Sequence, residues 1–282
     1  MKLSPPILRR PAAAFTMVEI AICLAIIGIA LVGIIGVLPY GMNTQRDTRE
    51  ETIVNQDVAM LLPQITQGMR GSDDLTNYVY AITNYWSLFG VNGQFLKSGV
   101  NGYSVNGSSV LGGFFPKVWL TNGMNIIGVL STPEYVLGAT PRGVPAYPIA
   151  LPGIYNANNY EVYSNHIVAY VHAMSGLASE KPPQDNELMV NDAFTYRLLV
   201  VNAPVAIDTN AVDTPFNHQL WQNQRELRLM FLSPQQPNGS VGNNKLTFRT
   251  TVAGQLTPSY VDGNLLYFYQ PQSFRANTNT LY

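Results

Sequence analysis

Glu19 is the residue whose placement most demands a chemical explanation. It lies within FTMVEIAICLAIIGIALVGIIGVL, residues 15–38, and is followed by 19 residues, Ile20 to Leu38, without one polar side chain. A carboxylate in a bilayer-spanning segment costs roughly 2.5–3.5 kcal/mol on insertion scales. It needs a cationic partner, such as the N-terminal amine of a neighbouring chain, or a route to the membrane surface. Its position near the start of the segment leaves both open.

Elsewhere, residues able to do chemistry are sparse. His166 and His172 share strand parity but stand about 20 Å apart in an extended chain, too far to chelate one metal. His218 has no acidic or thiol neighbour in sequence. There is no P-loop, no H-E-x-x-H and no G-x-S-x-G. With no catalytic constellation, the chain is read as a non-enzyme. Asp185, Glu187 and Asp192 offer the oxygen ligands that calcium takes. Their spacing fits no loop template, so a plain polar loop is favoured and no cofactor is expected. Cys23, the only cysteine, lies in the apolar run and reads as a small apolar filler, so no disulfide can form within the body.

Composition narrows the classes further. Charged residues make up 12% of the chain, about half the usual share. The 16 basic and 17 acidic residues show no basic stripe with interleaved aromatics, so no nucleic-acid partner is expected. Loss of residues 1–14 would remove Lys2, Arg9 and Arg10, leaving 13 basic against 17 acidic.

The elements that position Glu19 begin with MKLSPPILRRPAAA, residues 1–14, a short basic stretch with three prolines. The apolar run that follows spans about 28 Å as a helix, close to the hydrocarbon thickness of a bilayer. Secretory signals carry their small-residue cleavage site after the apolar segment. Here Ala12-Ala13-Ala14 precede it. A cut after Ala14 would keep the helix, make Phe15 the new N-terminus and place Glu19 four residues beyond it.

Ala14-Phe15-Thr16-Met17-Val18-Glu19, followed by the apolar run, resembles the prepilin signal of type IV pilins and type II secretion pseudopilins. Phe15 and Glu19 match that pattern, and Ala14 stands where the family usually has Gly. The resemblance covers about 40 N-terminal residues. It implies cleavage by a prepilin peptidase between Ala14 and Phe15, and N-methylation of Phe15. It further implies an assembly contact in which Glu19 neutralises the amine of Phe15 on the adjacent subunit. The implied partners are that peptidase, other pilin or pseudopilin subunits, an inner-membrane assembly platform, and membrane lipid before assembly. The implied location is the inner membrane, crossed once, with the N-terminus cytoplasmic and the body periplasmic or extracellular. Some pseudopilins bind calcium, which is the family precedent for the Asp185, Glu187 and Asp192 group.

Beyond the span, Pro39 and Gly41 are expected to interrupt the helix, and Pro63 to bend it. Val54, Val58, Leu61, Leu62, Ile65 and Met69 recur at spacings of three and four, predicting an amphipathic helix over 39–69. Arg46, Asp47, Arg49, Glu50, Glu51 and Asp57 are assigned to its solvated side. Residues 70–190 read as a variable, loop-rich region with short strands at Tyr78–Thr83, Ile126–Leu130 and Ile167–Ala173, and an extended loop over Thr132–Tyr155. Four Asn-Gly pairs, at 92–93, 101–102, 106–107 and 122–123, are expected at turns. Over 191–282, alternation in 226–231 and 245–252, with Phe194–Val201 and Leu265–Tyr269, predicts an antiparallel sheet. The expected class is α+β: a pilin-like fold with a long N-terminal helix packed on a C-terminal antiparallel sheet and a long loop-rich insertion between. The function expected is a structural filament subunit, of minor rank and nearer a pseudopilin. The alternative is a membrane-tethered binding module outside any filament.

Overall fold

The structure is a computed structural model that describes residues 16–67, 74–90, 94–107, 117–137, 162–175, 194–205, 223–236 and 239–271. The chain divides into two compact units, residues 1–49 and 50–282.

Helix α1 runs from Met17 to Thr66, about 75 Å at the α-helical rise. It continues through Pro39, Gly41 and Pro63, so the expected interruption is absent. A proline removes one backbone donor, and the turns on either side keep theirs. From Thr16 to Arg49 every residue is exposed; burial begins at Glu50.

In the second unit the expected stripe forms. Val54, Val58, Leu61 and Ile65 are buried, and Leu62 packs partly against the core. Met69 lies outside the described residues. Glu50 and Asp57, assigned to the solvated side, are buried on the same stripe. Asp57 stands three residues after Val54 and four before Leu61, so helical geometry carries it inward with them.

The stripe belongs to one core with an eight-stranded sheet. After the short helix α2 (Leu75–Tyr78) come β1 (Val79–Phe89), β2 (Phe95–Ser104), β3 (Lys117–Val118), helix α3 (Gly123–Leu130) and β4 (Tyr135–Leu137). Then follow β5 (Val162–His172), β6 (Thr195–Pro204), β7 (Gln224–Gln235), β8 (Val241–Ala253), β9 (Gln255–Val261) and β10 (Asn264–Gln270). The main sheet has the order β3-β2-β1-β5-β6-β7-β8, with β4 beside β5. Every pairing is antiparallel except β2 with β3. The large antiparallel sheet and long helix make the class α+β. The sheet is not confined to 191–282, because β1, β2 and β5 from the stretch read as loop-rich are integral to it.

Two expected strands differ in the structure. Ile126–Leu130 lies in helix α3, whose Asn122 side chain caps the Met124 N–H at 2.8 Å. Seven of its eight residues are buried, and an apolar run buried on all sides loses the periodicity that separates helix from strand. Gly128 permits its close approach to β10: a Cβ there would stand 2.8 Å from Leu266. Leu265–Tyr269 is a strand, β10, but it pairs only with β9 in a separate hairpin. Asp262 and Gly263, at φ 50° and 78°, form its two-residue turn.

The Asn-Gly pairs serve different ends. Asn106-Gly107 is a turn with Gly107 at φ 77°, Asn101-Gly102 lies inside β2, and Asn122-Gly123 starts α3. Residues 92–93, and most of 132–155, lie outside the described residues.

Candidate anchoring and assembly element

The start of α1 is a closed local network. The Thr16 backbone N–H and Oγ1 both donate to Glu19 Oε2 at 2.8 Å, and the Glu19 N–H donates to Thr16 Oγ1 at 3.3 Å. The Ile20 N–H donates to the Thr16 carbonyl at 3.2 Å. This is a reciprocal capping box, in which an N-cap threonine and a glutamate three residues on satisfy each other's backbone donors. The carboxylate also lies at the positive end of the helix dipole. Glu19 thus has a partner within its own chain, besides the neighbouring amine and the membrane surface that its sequence position suggests. Thr16 is the residue that sequence reasoning passed over. Its signal was legible, because Thr-x-x-Glu ahead of an apolar run is a helix-start signature.

From Ile20 to Leu38 the helix is apolar on every face, and every residue there is exposed. Ile29 is 75% exposed, Val32 73% and Ile35 68%. An all-round apolar helix is stable only when something apolar surrounds it. This helix is long and apolar enough to cross a membrane, and none of its most apolar stretch is buried within the protein. It is compatible with a membrane anchor. Among the described residues, nothing lies within 4 Å of a Cβ placed at Gly28, Gly33 or Gly36, and Cys23 is a free, exposed thiol. The Ala14–Phe15 junction lies outside the described residues.

The remaining candidates do not converge. His166 lies near the middle of β5 and His172 ends it; His166 is exposed, while the His172 ring packs on Tyr80 with centroids 4.6 Å apart. Burial pushes His172 below its ordinary value, so it is neutral near pH 7. His218, Asp185, Glu187 and Asp192 lie outside the described residues. Among the described residues no three His, Cys, Asp or Glu side chains gather in a group able to hold a metal ion.

The body's polar centre is Asp57, fully buried. Its Oδ2 accepts from the Met174 N–H at 3.0 Å and from the Tyr196 hydroxyl at 2.9 Å. Burial pushes its carboxyl up, while hydrogen bonds from Ser175, Met174 and Tyr196 pull it down by less. Ser175 also donates to the Ile53 carbonyl at 3.2 Å. Seven residues before Asp57, Glu50 accepts from Asn244 of β8 at 3.0 Å. These bonds fix the helix to the sheet.

No known protein family, no curated protein and no solved structure matches the chain.

Proposed function

We propose that the chain is a structural subunit of a type IV pilus-like or type II secretion filament, a minor one and nearer a pseudopilin, anchored and assembled through α1. The observation that carries this reading is Glu19 at the capped start of an uncovered apolar helix, four residues after Phe15. Before assembly, lipid covers the apolar face. In the filament, neighbouring helices replace it.

The capping box shapes how Glu19 would act. Both Thr16 donors use Oε2. Carboxylate oxygens carry about four lone-pair sites between them. Glu19 can therefore keep its cap while accepting from the Phe15 amine of an adjacent subunit through Oε1. Pairing would neutralise a charge that lipid and a packed helical core both disfavour. Each helix would so be set at one axial register against the next. Prepilin peptidase, acting between Ala14 and Phe15, supplies that amine.

Mass spectrometry of the N-terminus of the native protein tests the reading. The expected product begins at methylated Phe15. A chain that retains Met1, or one cut after Leu38, overturns it.

A further inference from the structure

Among the described residues, Arg225 is a buried cation with no counter-charge. It sits on β7, paired with Pro204 of β6 and Val252 of β8. It shares strand parity with the buried Leu227 and Leu229, and so points into the core, only 2% exposed. Its Nε and Nη1 are sealed from solvent and meet no acceptor. Tyr267 and Tyr269 of β10 are the titratable groups that act on it, and both are buried. Burial pushes both phenols far up, so they are neutral and supply no negative charge. Tyr269 is already engaged, donating to Asn202 Oδ1 at 2.7 Å, while Asn202 Nδ2 donates to the Ser131 carbonyl at 2.6 Å.

A guanidinium stays protonated at any physiological pH, so Arg225 cannot shed its charge as a buried lysine can. A buried charge without a partner is strongly destabilising, and native interiors pair such groups. We propose that Arg225 is the receptor for a small free carboxylate, bound at its guanidinium beside Tyr267 and Tyr269. The charge sets the class. One cation among neutral phenols is balanced by a monoanion, whereas a phosphate dianion would leave a buried negative charge. The shape agrees, because a planar fork of N–H donors matches a planar carboxylate. Formate, the smallest carboxylate, is the probe for a guanidinium so closed from solvent. Binding there would tie β7 to the β9–β10 hairpin and stabilise the body.

The test is equilibrium dialysis of the full chain in detergent against radiolabelled formate, at constant ionic strength in chloride. One label per chain, retained saturably, is expected. Arg225→Met should lose the label, and Arg225→Lys, which keeps the charge without the fork, should retain it more weakly. The wild-type unfolding midpoint should rise with the logarithm of formate concentration, and that of Arg225→Met should not. Inorganic phosphate should fail to compete. A wild-type chain that retains no label, an Arg225→Met chain that retains as much, or displacement by equimolar phosphate would each overturn the proposal. The wild-type dialysis and the Lys variant decide the matter even where the Met variant does not fold.

Discussion

The Tyr196 hydroxyl donates to Asp57 Oδ2 at 2.9 Å, bridging 139 residues of sequence to join α1 to β6. Both residues are fully buried. Burial, and then the Asp57 carboxyl, push the Tyr196 phenol well up, so its proton stays in place to be donated. The pair is a polar pin in an otherwise apolar interface of Val54, Leu61 and Phe231.

Removing the donor should be costly. Tyr196→Phe leaves Asp57 buried with one partner fewer, and should cost about 1–3 kcal/mol. Denaturant unfolding followed by near-UV circular dichroism would measure it. Asp57→Asn retains an acceptor for Tyr196 and Met174 without the buried charge, and should cost less than Tyr196→Phe. The reverse order would show that the charge itself, rather than the hydrogen bonds, holds the helix.

Buried Asp57 and half-buried His172 should pull stability in opposite directions with pH. Asp57 is raised in the fold from its ordinary 3.8. Its contribution is therefore full below that value and lost as pH rises through the folded pKa. His172 is lowered from 6.5. Its contribution is present above 6.5 and lost as pH falls through its folded pKa. Acidification from pH 7 should thus first weaken the body through His172 and then recover part of that loss through Asp57. Asp57→Asn should remove the recovery, and His172→Gln the earlier loss. Unfolding curves between pH 7 and pH 4 give both slopes, and identical profiles in wild type and Asp57→Asn would remove Asp57 from the account.

Thr16 and Glu19 can be separated genetically. Thr16→Val removes the side-chain half of the cap, at about 1 kcal/mol, but leaves the Glu19 carboxylate free to meet an amine. Glu19→Val removes both roles. If Glu19 acts between subunits, Glu19→Val should abolish filament incorporation while membrane insertion survives, and Thr16→Val should assemble nearly normally. Equal losses in both variants, scored by membrane fractionation and recovery in sheared filaments, would reduce Glu19 to a helix cap.

Gly254 joins β8 to β9 at φ 127°, where a Cβ would stand 2.7 Å from the Gln270 carbonyl oxygen. Gly254→Ala meets both backbone strain, about 1–3 kcal/mol, and a backbone clash. It should lower the thermal midpoint and expose Tyr267 and Tyr269, read as a blue shift in tyrosine near-UV difference absorbance. Gly263, also at positive φ but with nothing within 4 Å, should lose only the strain component on replacement by Ala.

Local pattern sufficed wherever one face of an element is wet. The alternation of Leu227, Leu229 and Phe231 with Glu226, Arg228 and Met230 announces β7 because one face of that strand is more buried than the other. The same holds for the spacing of Val54, Val58, Leu61 and Ile65. Pattern failed where an element is buried all round, as in α3, since periodicity vanishes when every residue is apolar. Two short signals were there to be read. Asp262-Gly263 is as strong a hairpin turn as any Asn-Gly pair, and Thr16-x-x-Glu19 marks the capped start of α1.

By itself, then, the sequence determined the apolar helix, its continuation as a stripe, the sheet-forming alternation and the isolation of Glu19, all of which depend on neighbours a few residues away. Only the tertiary structure decided that Asp57 is buried rather than solvated, that β10 leaves the main sheet for a hairpin with β9, and that Arg225 faces the core, without a counter-charge among the described residues. Those outcomes rest on which distant segments come together: Tyr196 lies 139 residues from Asp57, and residue type alone carries no record of a partner so far along the chain.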